Sequence, residues 1–181
     1  PWGKMNFMSV DLQSLSLQFY PSPVLMERTQ EVDPTDETVQ AVARRMIEIM
    51  FEHRGVGLAA PQVGLPWRIF VTRRPNNPDN EESGLVWMNP VLDVIDGSVE
   101  SEEEGCLSLP EIRGEIKRPL AIRISGHDVN GKPISAESDE LIARIWQHEN
   151  DHLDGVLIID KMSAMDRLVN RKLIRDLERQ L

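Results

Sequence analysis

One cysteine, Cys106, among 181 residues excludes an internal disulfide. That fits a reducing compartment and leaves the thiol free for other chemistry. No apolar run is long enough to span a bilayer, and the opening PWGKMNFMSVDLQ lacks the charged start and apolar core of a signal peptide. A soluble protein without a membrane partner is expected. Repeats, linkers and low-complexity tracts are also missing, so nothing divides the chain, and 1–181 is expected to be a single domain that buries roughly two-thirds of its unfolded surface. Residues 1–14 read as a loosely ordered extension, and because the chain begins at Pro1, Met5 or Met8 is the expected original start. Basic charge is scarce, with 20 Lys and Arg against 30 Asp and Glu and a net charge of −10. Direct DNA binding is therefore not expected. The tail from 160 to 181 leans basic, with six Lys or Arg and four Asp or Glu, while the body carries the acidic excess.

Prolines at 21 and 23 leave the first thirty residues as short extended pieces that wrap the body. Asp33 followed by Pro34 signals a helix start, and Val39, Val42, Ala43, Met46, Ile49 and Met50 give it one apolar face. It is expected to end near Arg54, with Gly55 beyond it and His53 in a structural role at the carbonyl end of the dipole. Residues 55–66, GVGLAAPQVGLP, are too poor in side chain for a packed strand or stable helix, and their backbone is expected to approach something closely. WRIFVT, LVWM and VLDVI read as short strands, the last two separated by Asn89-Pro90 and preceded by an exposed loop over 73–84. LAIRIS alternates and leads to an Asn130-Gly131 hairpin signal, with His127 as a surface residue beside it. Ser138 is expected to cap a helix through Leu141, Ile142, Ile145 and Trp146 that ends at Gly155, and residues 163–181 form a further amphipathic helix.

That penultimate helix contains QHENDHLDG. His148 and His152 stand four apart, so a helix stacks both imidazoles on one face with Glu149 beside the first. Two such histidines and a carboxylate are the pattern of a divalent-metal site, although a helix with two polar histidines among solvated acids has the same sequence. A third ligand is required. Ile158 stands where an extended zinc-protease motif would place another histidine, which excludes that extension. The remaining candidates are a late carboxylate, from Asp166, Asp176 or Glu178, as in a metallopeptidase, and Cys106 in its glycine-flanked turn. A structural metal module that binds without reacting is the third alternative; it normally needs a fourth protein ligand, and none adjoins these residues.

Three stretches taken together, GVGLAAPQ (55–62), EGCLS (104–108) and QHENDHL (147–153), resemble the three motifs of the peptide deformylase family in order and spacing. The similarity covers residues 15–181. It implies an α+β fold in which short antiparallel sheets pack around a central helix carrying the HExxH motif, with one helix in the N-terminal half and another at the C-terminus. The implied activity is removal of the N-formyl group from formyl-methionyl nascent peptides, releasing formate, with metal-bound water as nucleophile and Glu149 as general base and acid. The resemblance implies Cys106, His148 and His152 as ligands, and the Gln62 side chain with the Leu107 backbone N–H as donors to the oxyanion. It further implies that Gly57 and Gly105 pair with the peptide backbone, that Val56, Leu141, Arg144 and Ile145 line the methionine pocket, and that Arg113 stands at its outer edge. The implied native ion is Fe(II), with nickel, cobalt or zinc able to substitute. Ribosome contact through the C-terminal helix and a bacterial cytoplasmic location, with an organelle as the alternative, complete these expectations.

Overall fold

The computed structural model describes residues 9–180. In chain order the elements are α1 (Glu37–Glu52), β1 (Gly57–Ala59), β2 (Ile69–Thr72), β3 (Leu85–Val94), β4 (Val99–Cys106), β5 (Leu109–Pro119), β6 (Ile122–His127), β7 (Pro133–Ser138), α2 (Leu141–Leu153), α3 (Ile158–Lys161), α4 (Ala164–Val169) and α5 (Arg171–Glu178). Five strands form one sheet in the order β1-β2-β3-β6-β7, and β4 with β5 forms a separate hairpin. All of these pairings are antiparallel, so the class is α+β with antiparallel sheets.

Alternation along the strands explains how two helices share one sheet. Ile69 and Val71 of β2, Val86 and Met88 of β3 and Leu58 of β1 enter a cluster with Val39, Val42, Ala43, Met46, Ile49 and Met50 of α1. Their neighbours Phe70, Trp87 and Ala59 enter a different cluster, with Ile142, Ala143, Trp146 and Leu153 of α2. Successive side chains point to opposite faces of a strand, so α1 covers one face and α2 the other. A third cluster joins Leu109, Ile112 and Ile116 of β5 to Ile158 and Ile159 of α3 and to Ile174 of α5.

Several expected boundaries shift for local reasons. Asp33 closes a turn by accepting from the Thr35 N–H and hydroxyl, and Asp36 caps α1 by accepting from the Thr38 and Val39 N–H groups. The side-chain-poor stretch after α1 does contain a strand: β1 pairs with β2, Leu58 is fully buried, and a 3-10 turn over Ala60–Val63 follows. The two strands expected around Asn89-Pro90 are one, β3, whose register against β6 shifts between Met88 and Val91, which accommodates the proline as a bulge. The acidic run before Cys106 is a strand, solvent-exposed over 99–103 and paired with β5. Ser138 accepts from the Glu140 N–H just outside α2 instead of capping it. Gly155 does follow α2 in the left-handed conformation, φ 72°. The expected C-terminal helix is broken at Asn170 into α4 and α5, and its Met165, Leu168 and Val169 lie exposed.

Within the expected loose extension, Met5 and Met8 lie outside the described residues. The described part is folded: Asp11 caps a 3-10 turn over Leu12–Ser14, and Val10 and Leu12 pack on the first cluster. The wrapping segment that follows is tied to the middle of the chain and to its C-terminal helix. The Gln18 N–H donates to the Gln62 carbonyl at 2.7 Å and the Tyr20 N–H to the Ser108 carbonyl at 2.9 Å. The Tyr20 hydroxyl donates to Glu178 Oε1 of α5 at 2.8 Å.

Partial burial and the Glu178 carboxylate raise the Tyr20 phenol to about 12. A phenol held above its unfolded value contributes stability that is complete below pH 10.0 and is lost as pH rises toward 12. Tyr20 is the chain's one tyrosine, so tyrosinate absorbance reports on it alone. The native protein is expected to remain mostly protonated at pH 10.0, and Glu178→Gln to shift the titration downward.

Candidate metal centre

Cys106 ends β4 at a register shift in the hairpin, where Gly105 pairs with Arg113 but Cys106 pairs with Leu109. His148 and His152 stand one turn apart on α2, ring centroids 5.1 Å apart. The fold brings these three together: one donor atom from each lies within 4.8 Å of the others, and Cys106 Sγ is 3.4 Å from His152 Nε2. A thiolate with two imidazoles suits a borderline or soft divalent ion and leaves a position open in tetrahedral coordination.

Glu104 orients the histidine nearest the opening. Its Oε1 lies 2.9 Å from His148 Nδ1, which directs Nε2 towards the cluster. The same carboxylate accepts from Arg118 at 2.6 and 2.9 Å and from Arg144 at 2.8 Å. Arg118 donates in turn to Asp151 of α2 at 2.8 Å. Burial pushes the Glu104 carboxyl up, but the hydrogen bonds from Arg118 and His148 and the charge of Arg118 outweigh it and hold the group well below the usual carboxylate range. His148 is raised despite burial by its bonds to Cys106 and Glu104, and His152 is lowered, chiefly by burial and then by the neighbouring His148.

Glu149 has the opposite environment. It is 3% exposed and its Oε2 has no hydrogen-bond partner. Burial raises its pKa to about 7. Space for it is made by Gly57, where an added Cβ would come within 2.5 Å of Glu149 Oε1. A buried carboxylate oxygen without a donor, beside three converging ligand atoms, is what a site built to hold an ion and a water requires.

The remaining expected residues lie around a cleft of about 600 Å³ between β1, the β4–β5 hairpin and α2. Val56, Gly57 and Gln62 line one side, Gly105, Leu107 and Arg113 another, and Leu141, Arg144 and Ile145 lead down α2 to His148 and Glu149. His152 is buried behind them. Gln62 is locked: Oε1 accepts from the Ala59 N–H at 2.9 Å, so Nε2 points at Ser108 Oγ, 3.2 Å, and Cys106 Sγ, 3.6 Å. Arg144 lines the cleft as expected, and its guanidinium is held by Glu104 and by the carbonyls of Ile116 and Glu100. Arg113 reaches over the Gly105 backbone to Glu103, 2.7 Å away.

Sequence reasoning missed Glu104, Arg118, Asp151 and Ser108. Glu104 and Asp151 sit inside the EGC and QHENDH stretches, and that proximity was a usable signal. Nothing along the sequence marks Arg118 as a buried cation or Ser108 as the partner of Gln62.

A family model described as polypeptide deformylase matches residues 15–168. The peptide deformylase of Thermotoga maritima is 42% identical over 163 residues, covering 90% of this chain and 96% of that protein. That of Borreliella burgdorferi is 41% identical over 146 residues, 81% of this chain and 86% of the relative. Among solved structures, a Plasmodium falciparum peptide deformylase superposes with a TM-score of 0.82 at 37% identity, over 91% of this chain and 96% of the other. Arabidopsis thaliana peptide deformylase 1B, in complex with an inhibitor, gives 0.85 at 34% identity, over 92% and 91%.

Removing Glu104 leaves the Arg118 guanidinium, 3% exposed, with Asp151 as its remaining carboxylate. Glu104→Ala is expected to cost about 3 kcal/mol in urea denaturation. Glu103→Ala, which breaks an exposed pair with Arg113, should change stability by about 0.5 kcal/mol or less.

Proposed function

The chain belongs to the polypeptide deformylase family, whose members are hydrolases, and from that premise we propose that this cleft removes the formyl group from formyl-methionyl nascent peptides. The observation that carries the proposal is the convergence of Cys106, His148 and His152 beside the unpartnered oxygen of Glu149. On this reading residues 1–181 are one catalytic domain with α2 as its central helix. Cys106, His148 and His152 hold a divalent ion; the thiolate suits Fe(II), with nickel, cobalt or zinc as substitutes. When bound, the ion supplies Lewis-acid polarisation and lowers the pKa of a water from about 15.7 to about 7.

The chain's own residues supply the rest. Glu149 accepts the water's proton and passes it to the departing amine, a task suited to a carboxyl near neutrality. Gln62 Nε2, held in place by the Ala59 N–H, and the backbone N–H of Leu107 donate to the oxyanion that develops on the formyl oxygen. The peptide lies extended between the free edge of β1 at Gly57 and the hairpin at Gly105. Val56, Leu141 and Ile145 receive the methionine side chain; Arg144 forms the pocket floor with its stem while its guanidinium stays bound to the hairpin, and Arg113 borders the exit. The metallopeptidase alternative has less support: Asp166 accepts from the Glu115 N–H and Glu178 from Tyr20, so two of its late carboxylates are engaged elsewhere.

The proposed setting is the bacterial cytoplasm, in line with the bacterial relatives. No described helix is long and apolar enough to cross a membrane. The proposed route to nascent chains is ribosome contact through α4 and α5, whose Met165, Leu168 and Val169 are exposed and whose Arg167, Arg171 and Arg175 surround a shallow depression.

Formyl-Met-peptide and its unformylated counterpart, offered to the wild type and to two variants, test the chemistry. Glu149→Gln is expected to retain metal and lose about 10²–10⁴-fold in kcat. Cys106→Ala should lose both metal and activity; full activity without the thiol would remove it from the ligand set, and cleavage of internal bonds would favour the peptidase. Ribosome contact predicts weaker co-sedimentation for the double variant Leu168→Glu with Arg171→Glu, whose positions avoid the buried Ile174. Unchanged co-sedimentation would remove α4 and α5 from that role.

A further inference from the structure

β1 is the open edge of the five-stranded sheet: it pairs with β2 on one side, and its Gly57 lines the cleft on the other. The segment leading into that edge, 55–57, has little side chain to hold it. Two glycines flank Val56, which is 54% exposed. Burial of apolar surface therefore cannot fix its position, and hydrogen bonds to its backbone must do so. The Gly55 N–H donates to the Met50 carbonyl at 2.9 Å and the Arg73 N–H to the Val56 carbonyl at 3.0 Å. The third bond comes from a side chain: Arg73 Nε donates to the Gly55 carbonyl at 2.6 Å. Among the described residues, no other side chain hydrogen-bonds to the backbone of 55–57.

That guanidinium is held on several sides. Its Nη1 donates to the Pro78 carbonyl at 2.9 Å, and its Cζ lies 4.2 Å above the Phe51 ring. The site is also the carbonyl end of α1, where a cation is favoured. A planar fork with a stacking face meets all these demands together, whereas an ammonium meets only some of them. Asp79, at 3.8 Å, is 99% exposed and adds little. Residues 73–84, expected from the sequence to be a bare exposed loop, therefore begin with a side chain that is 18% exposed and braced against α1.

We propose that Arg73 is a positioning residue for peptide binding: it anchors the Gly55 carbonyl so that the free edge of β1 is preorganised for an extended substrate, and it ties that edge to the 73–84 loop. The proposal rests on the deformylase reading of the cleft. Losing the anchor lets 55–57 populate other conformations, and each binding event must then select the competent one, which weakens apparent affinity. Cys106, His148 and His152 stand on β4 and α2 and share no hydrogen bond with Arg73, and Gly57, against which Glu149 packs, stays paired with β2, so the chemical step changes little.

Arg73→Met is expected to raise KM for a formyl-Met-peptide about tenfold while kcat stays within about twofold and metal content is unchanged. Arg73→Lys should recover part of the loss, and Asp79→Asn should behave as wild type. Hydrogen exchange gives a readout independent of turnover: amides at 56, 57 and 73 should exchange faster in Arg73→Met, with those of α2 unchanged as the control for folding. Unchanged KM together with unchanged exchange would overturn the proposal, as would a fall in kcat at unchanged KM. If the wild type itself fails to deformylate, the functional reading falls, while the exchange comparison still decides whether Arg73 anchors the edge.

Discussion

Arg118 and Glu104 meet in the interior between the β4–β5 hairpin and α2, and the placement of the candidate ligands depends on that pair. The hairpin that ends in Cys106 shares no strand pairing with the five-stranded sheet. Its link to α2 is instead polar: Glu104 reaches His148 and Arg144, Arg118 reaches Asp151, and Arg144 also donates to the Ile116 and Glu100 carbonyls. Desolvating such a network consumes much of its Coulombic gain, so an apolar replacement would hold the two elements together as well or better. What an apolar contact lacks is direction. Greasy surfaces slide over one another, whereas a bidentate arginine admits one separation and one angle, and metal ligands from two elements need both.

The same contrast between adhesion and direction recurs across the cleft. Apolar packing of α1 and α2 on opposite faces of the sheet fixes where β1 lies, yet β1 itself contributes almost nothing to packing at its cleft end. Gly57 must lack a side chain because Glu149 occupies the space a Cβ would take. The absence that admits the carboxylate also deprives the strand of an anchor, so its backbone is held by hydrogen bonds from the Arg73 side, by β2, and by the Gln62 amide closing on Ala59.

Periodic features were the legible part of the sequence. α1 and α2 could be read because their apolar positions recur at helical spacing, and β2 because a β-rich run stands between turn residues. The histidine pair could be read for the same reason, since four residues along a helix are one turn in space. Legibility failed where a partner distant in sequence decides the outcome. VESEEEGC has the composition of a solvated run, and it becomes a strand only because β5 lies against it and Arg118 neutralises Glu104 from within. The C-terminal segment has helical spacing throughout, but Asn170 spends its side chain on the Arg113 carbonyl and the chain breaks there into α4 and α5. Gln62 was identified by resemblance; the Ala59 bond that aims it is visible only in three dimensions.

Two buried carboxylates at this site have opposite fates, and the difference is one of partners rather than depth. Glu104 is 8% exposed and Glu149 is 3% exposed. Both pay desolvation, but Glu104 is surrounded by guanidinium groups and an imidazole that more than offset it, while Glu149 has an oxygen with no donor at all. The first is held ionised and immobile; the second sits where its proton is loosely committed at neutral pH. A carboxylate that orients a ligand must not change charge as the reaction proceeds, and one that shuttles a proton must be able to. The neighbouring elements therefore separate the two tasks through their donors: β5 and α2 supply every partner to Glu104, and β1 offers Glu149 a glycine.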